Sequence, residues 1–183
     1  MLAGNLPGGR GDGVPLASLI DLAAKTRIVQ LFVARPDTPI LIAMTSGYAF
    51  HCEYQHLLTR QKAGKQFVSI EEGESLLKIT PFVSRETNLV ACLSSGGRLH
   101  LFPLSELKPL AGGGRGMIAM ALDGDDTLAA ITISDGETLV LNGVGRGGKA
   151  LQMTLDANDL APYVGKRAKK GKPINAGLKF PGF

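Results

Sequence analysis

The sequence contains no tryptophan, and aromatic residues make up only 5% of it. Since 44% of the 183 residues are nonetheless apolar, any core must be built mainly from aliphatic side chains. That length predicts one domain with enough chain to bury a core. Cysteine is scarce as well. Cys52 and Cys92 lie far apart in apolar runs with no CxxC spacing. This excludes a disulfide framework or a zinc site and predicts two buried, reduced thiols. Histidine occurs three times, as His51, His56 and His100. None has partners at metal-ligand spacing, and His51 and His56 read as polar surface or rim residues. HExxH, GxSxG and Walker motifs are absent, as are paired carboxylates beside a nucleophile. No apolar run approaches the length of a membrane-spanning helix. The Gly-rich start, Met1 to Gly13, lacks the apolar core of a signal peptide and reads like the interior of a longer chain.

Two loops imitate binding motifs. Gly143-Val144-Gly145-Arg146-Gly147-Gly148 looks like a phosphate cradle, but the alternating stretch Ala150 to Leu155 behind it is strand-like, so a long hairpin turn is expected. Asp123, Asp125 and Asp126 surround Gly124. No Glu closes that loop in the manner of a calcium site, and it reads as a solvated turn.

Glycine is abundant, with 24 residues spread along the chain, and a repeat of about fifty residues accompanies it. Thr45-Ser46-Gly47-Tyr48-Ala49-Phe50 returns as Ser95-Gly96-Gly97-Arg98-Leu99-His100-Leu101, and more loosely as Ser134-Asp135-Gly136-Glu137-Thr138-Leu139-Val140. His51 and His100 fall at nearly equivalent places. A Gly-plus-basic cluster follows each copy, and Gly64, Gly116 and Gly171 are separated by 52 and 55 residues. Short strand patterns fill each unit. They run over Arg27–Val33, Ile40–Met44, Ala49–Tyr54, Leu76–Ile79, Leu89–Leu93, Leu99–Phe102, Met117–Met120, Thr127–Ile133, Thr138–Leu141 and Ala150–Leu155. Helix is expected only as one or two turns over Ser18 to Ala24 and a single turn over Asp156 to Leu160.

About four strands per unit is the composition of a propeller blade. The reading is therefore all-β. Residues 1–183 form a single propeller-like domain of about three four-stranded blades, with repeats at about 14–64, 65–116 and 117–171. The tail Leu178-Lys179-Phe180-Pro181 is expected to close against a neighbouring blade.

The net charge of +4 conceals an uneven pattern. Residues 117–164 carry two basic and seven acidic side chains, whereas residues 165–183 carry six basic and none acidic. Cations gather at the repeat junctions. Lys and Arg beside Gly suit a phosphate backbone, because the cations displace counterions and the exposed main chain adds hydrogen bonds without reading bases. Repetition on a propeller rim would form a curved track. Arg10, Arg60, Lys62, Lys65, Arg115, Lys166, Arg167, Lys169, Lys170 and Lys172 are the candidate phosphate contacts. A competing reading makes the acidic stretch Asp123 to Glu137 a docking face on a protein-interaction module, for instance for a chromosome-organising protein.

Several segments resemble one family in order along nearly the whole chain. They are Leu6 to Gly13, Ser46 to Phe50, Lys62 to Lys65, Gly97 to Leu107 and Val164 to Arg167. They are similar to the C-terminal domain of the A subunit of bacterial DNA topoisomerase IV. The corresponding domain of the gyrase A subunit is its relative and the alternative. Thr59 to Lys65 resembles only a degraded form of the basic, glycine-containing box that lets gyrase wrap DNA, which favours topoisomerase IV. The resemblance implies a β-pinwheel, a propeller-like ring whose blades exchange strands and whose rim binds double-stranded DNA. It implies no catalytic residue and no cofactor in this domain. The nucleophilic Tyr, ATP and Mg²⁺ belong to other parts of that ATP-dependent enzyme, so Tyr48, Tyr54 and Tyr163 inherit no role. It further implies the remainder of the A subunit, together with the B subunit, as partners, and a cytoplasmic, nucleoid-associated setting in bacteria.

Overall fold

A computed structural model describes residues 8, 12–15, 18–23, 26–144, 148–174 and 179–182, with backbone alone over 179–181. The chain forms an all-β pinwheel. Its first sheet joins β1 (Pro39–Ala43), β2 (Tyr48–Glu53), β3 (Thr80–Pro81) and β6 (Met117–Ile118) in the order β3-β1-β2-β6. The second joins β4 (Leu89–Ser94), β5 (Arg98–Pro103), β7 (Leu128–Ser134) and β10 (Lys172–Pro173) as β10-β5-β4-β7. The third holds three strands among the described residues: β8 (Thr138–Val144), β9 (Ala150–Asp156) and β11 (Lys179–Gly182), ordered β11-β8-β9.

Each sheet is centred on a hairpin: β1–β2, β4–β5 or β8–β9. The flanking strands come from later repeats. Thr80–Pro81 pairs with β1, and Leu128–Ser134 with β4. Met117–Ile118 pairs with β2, and Lys172–Pro173 with β5. No sheet is thus made from one sequence repeat alone.

Side-chain alternation then stacks the sheets face to face. Ile40 and Ile42 of β1 join Phe50, Cys52 and Ile79 in one buried cluster. Leu41 and Ala43, from the opposite face of β1, meet Val90, Cys92 and Phe102 in a second. Ala91, Leu93, Leu99 and Leu101 turn the other way and meet Leu139, Leu141 and Leu155 in a third. Strands β1 and β4 are buried on both faces, which explains their unbroken apolar runs. Both cysteines are buried and free, and burial raises the Cys52 thiol to about 11.

The junction glycines have a steric purpose. Gly64, Gly116 and Gly171 have φ of 80°, 81° and 69°, in the left-handed region. A Cβ on Gly116 would overlap the carbonyl oxygen of Ala49, and one on Gly171 that of Leu99. Ala49 and Leu99 are matching residues of β2 and β5, and they pair with Met117 and Lys172, each just after its glycine. Glycine therefore turns the chain and lets an edge strand dock at close range.

The structure corrects several expectations. The third hairpin turn lies between β8 and β9, where Gly148 (φ 78°) matches Gly47 and Gly97. Ser134-Asp135-Gly136 instead links β7 to β8, which lie in different sheets. The Gly143 to Gly148 loop falls in the expected hairpin, though residues 145–147 are outside the described residues. His51 and His100 are offset by one position, since Leu101 occupies the place of His51 and His100 that of Phe50. Arg27–Val33 forms no strand, and Val29, Leu31 and Val33 are exposed. Its alternation lacks a neighbouring strand. The Gln30 amide ties it down instead, through paired hydrogen bonds to Ile79 of 2.8 and 3.1 Å, and Phe32 packs edge-on against Tyr54. The turn at Asp156 to Leu160 is present as α1 (Ala157–Leu160), with Asp156 and Asp159 in a capping box. No helix spans Ser18 to Ala24 among the described residues.

Gly116→Ala and Gly171→Ala should each destabilise the fold by more than Gly64→Ala. The last meets open space, so it should lose only the left-handed backbone penalty of about 1–2 kcal/mol. Urea unfolding of the three variants checks this ranking, and equal losses would contradict the docking role.

Candidate nucleic-acid interface

Because Gly64, Gly116 and Gly171 share one backbone conformation, the residues around them can be matched. Ala63, Arg115 and Lys170 precede them, and Lys65, Met117 and Lys172 follow. Two of the junctions form the same edge of successive sheets, through β6 and β10. The candidate cations around Gly116 and Gly171 are thus brought to matching edges by the strand exchange itself.

Matching positions do not have matching duties. Arg115 is one-quarter exposed and pairs with Glu71 and with Glu74, the latter at 2.5 Å. Its guanidinium also lies 4.3 Å from the Tyr48 ring centroid. Lys170 Nζ is 2.6 Å from Asp123. Glu71 and Asp123 are 52 residues apart, and Arg115 and Lys170 are 55 apart. Those are the steps of the junction glycines, so one fastening is repeated: a junction cation gripping the acidic turn that precedes β3 or β7. Arg167 is also engaged, since its guanidinium donates to the Ile118 carbonyl and its main-chain N–H donates to Glu106 at 2.8 Å.

The remaining candidates project outward. Arg60, Lys62, Lys166, Lys169 and Lys172 are exposed and have no ionic partner among the described residues. Lys65 is exposed too, with Nζ 3.2 Å from the His56 carbonyl and 4.9 Å above the Phe67 ring. Arg10 lies outside the described residues.

The segment Gly165 to Lys172 is held by its backbone at nearly every step. His100 Nε2 donates to the Lys166 carbonyl at 3.0 Å, and Gly165 N–H to Leu101 at 2.8 Å. Ala168 N–H donates to Ala119 at 3.0 Å, and the Lys169 carbonyl accepts from Ala121 at 3.2 Å. Arg98 Nη1 donates to the Gly171 carbonyl at 2.9 Å. Ala168 adopts φ 63°, the one non-glycine residue at positive φ among those described. The main chain is therefore fixed while Lys166, Lys169 and Lys172 point away from it. Such preorganisation lowers the ordering cost of binding an extended anion.

Sequence reasoning missed Arg98, Glu106, His100 and Asp126 as supports of these loops. A signal existed for Asp126, since acids recur one period apart at Glu74 and Asp126. It accepts from Ser95 Oγ and Gly96 N–H at 2.7 Å each and from Thr127 N–H at 3.0 Å, binding the β4–β5 turn to the next repeat. Burial works against its charge, but these hydrogen bonds hold its carboxyl below the ordinary value. Burial likewise lowers His51 and His100, outweighing their hydrogen bonds to the Leu107 and Lys166 carbonyls.

No family profile matches the chain. It is similar to the A subunit of DNA topoisomerase 4 from Neisseria gonorrhoeae, with 31% identity over 97% of this chain and 23% of that protein. The protein of that name from Haemophilus influenzae is 32% identical over 95% of this chain and 23% of its own length. The chain therefore spans about a quarter of the relatives it matches. Among solved structures, the Escherichia coli ParC C-terminal domain aligns with a TM-score of 0.83 at 23% identity, covering 95% of this chain and 71% of that one. A DNA gyrase A C-terminal domain aligns with a TM-score of 0.67 at 18% identity, over 90% and 55%.

Acid titration should report these supports. Asp126 titrates lower when folded than unfolded. Its stabilisation is therefore complete above the ordinary 3.8 and is lost as pH falls through the folded value. His100 is also lowered, so its contribution is complete above 6.5 and declines as pH falls below that. Urea midpoints measured against pH should show a shallower acid limb in Asp126→Asn, and a shallower slope just below 6.5 in His100→Phe.

Proposed function

The chain is homologous over nearly its whole length to part of the A subunit of DNA topoisomerase IV, with the β-pinwheel fold of such C-terminal domains, and on that premise we propose that it is a single non-catalytic domain that binds duplex DNA by its backbone. The observation that carries this reading is the anchored segment Gly165 to Lys172, whose main chain is pinned while Lys166, Lys169 and Lys172 are exposed with no ionic partner among the described residues. Arg60, Lys62 and Lys65 supply a second group at the matching junction. Arg115 and Arg167 support the loops rather than meet phosphates.

In the intact enzyme, a fixed row of cations would hold a DNA segment by its phosphates whatever its sequence. It would present that segment to the breakage-reunion centre and so direct relaxation and decatenation of crossed duplexes during chromosome segregation. The catalytic Tyr, ATP and Mg²⁺ would reside elsewhere in the complex of the A and B subunits, within the bacterial cytoplasm at the nucleoid. A protein-docking role for the acidic stretch has less support, because Asp123 is paired with Lys170 and Asp126 caps a turn.

Titration of labelled duplex DNA at several salt concentrations tests the proposal. Replacing Lys166, Lys169 and Lys172 by Ala should weaken binding equally for unrelated sequences. It should also flatten the plot of log affinity against log salt by roughly 0.9 for each phosphate no longer neutralised. Arg115→Ala should reduce stability more than it reduces the salt slope. An unchanged slope in the triple variant, or no binding at low salt, would overturn the reading.

A further inference from the structure

The two fastened junction cations are not held alike. Arg115 is gripped by Glu71 and Glu74 and lies over the Tyr48 ring, with its side chain 25% and that of Glu74 10% exposed. Lys170 pairs with a single acid among the described residues, Asp123, and the two side chains are 57% and 60% exposed. An ion pair so open to water contributes little to stability. Nor does the segment rest on it alone. Its main chain is held on both sides of Lys170, where the Lys169 carbonyl accepts from Ala121 N–H and the Gly171 carbonyl from Arg98.

The pair is nevertheless built into the fold. Asp126 N–H closes a turn on the Asp123 carbonyl at 2.9 Å, and the Asp126 carboxylate ties that turn to Ser95 and Gly96. Two fixed stretches of main chain thus bring Asp123 Oδ1 to 2.6 Å from Lys170 Nζ. Among the described residues, Lys170 is the only lysine of the segment with an ionic partner, since Lys166, Lys169 and Lys172 have none. A carboxylate offers a lysine what a phosphate does, a charged oxygen that accepts a short hydrogen bond. The pairing therefore removes one cation from the group that the segment displays.

We propose that Asp123 sets the affinity of the domain for DNA by occupying Lys170 in place of a phosphate, so that the duplex is held by one cation fewer than the segment carries. This rests on the DNA-binding reading above and refines it. Asp123 is already in place, whereas a phosphate must displace it before meeting Lys170. The consequence is quicker release of bound DNA, because affinity differences among variants of one interface lie mostly in the dissociation rate. Arg115 is outside this control. With Glu71 removed, Glu74 and the Tyr48 ring would still hold its guanidinium.

Titration of labelled duplex DNA against salt, with Asp123→Asn and Lys170→Ala made singly and together, tests the proposal. Asp123→Asn should bind several-fold more tightly at low salt and steepen the plot of log affinity against log salt by roughly 0.9, one added phosphate contact. In the Lys170→Ala background the same change should give a smaller gain and no steepening, because no cation is freed. A second variant replaces Asp125 as well, so that this acid of the same turn cannot take the place of Asp123, and it should show the same steepening. Glu71→Gln should leave the slope unchanged. The urea midpoint of Asp123→Asn should stay close to that of the unaltered chain. An unchanged slope in both Asp123 variants overturns the proposal, as does an equal gain with and without Lys170. Steepening in Glu71→Gln would reveal a general effect of removing acids, and a large fall in the urea midpoint a purely structural pair; either result overturns it too. If the triple lysine variant loses slope while Asp123→Asn is inert, DNA binding stands and only this inference fails. If the unaltered chain binds no DNA at low salt, both fail together.

Discussion

Everything in this fold depends on an extended segment docking against the hairpin of a neighbouring sheet. Gly116 and Gly171 permit it by taking a backbone conformation that side-chain-bearing residues resist, at a distance that leaves no room for a Cβ. Without that approach, β6 and β10 would have no partners. They are two-residue strands, too short to persist alone. With it, each sheet is completed by chain from a later repeat, and apolar residues of facing sheets meet in buried clusters.

The same docking explains how charge is divided. A basic residue beside a glycine at a junction has two possible occupations. Arg115 and Lys170 face acids one period apart, Glu71 and Asp123, and hold the junction closed. Lys166, Lys169 and Lys172 face none among the described residues. Counting cations by sequence treats the two groups alike, whereas the structure separates those that fasten the loop from those that the loop displays. Tyr48 reinforces the first group, since its ring lies beneath the Arg115 guanidinium.

The repeat was legible because its glycines are required by backbone geometry, and the hairpins because β1 and β4 carry continuous apolar runs. The third copy was misplaced because Ser134-Asp135-Gly136 and Ser95-Gly96-Gly97 have similar turn chemistry. Composition does not reveal whether the strands on either side of a turn pair with each other or join different sheets. Arg27–Val33 has sound alternation, yet a strand exists only beside another, and period-two patterning carries no information about partners. Strands of two residues leave no periodic trace. The ion pairs were hidden for a related reason, since Arg115 and Glu71 meet through topology rather than local spacing.

The three core clusters are separate, each lying between neighbouring layers or at the end of the stack. The molecule therefore has the thermodynamics of a one-dimensional array, in which each layer is stabilised chiefly by its immediate neighbours. Disorder entering at one end would have to cross successive interfaces, each with its own free energy, before reaching the other. The sheet of β8 and β9, buried on one face and without a partner along the outer edge of β9 among the described residues, is where such fraying would begin. The layer around β4 and β5, enclosed on both faces, would be the last to exchange its amide protons with water.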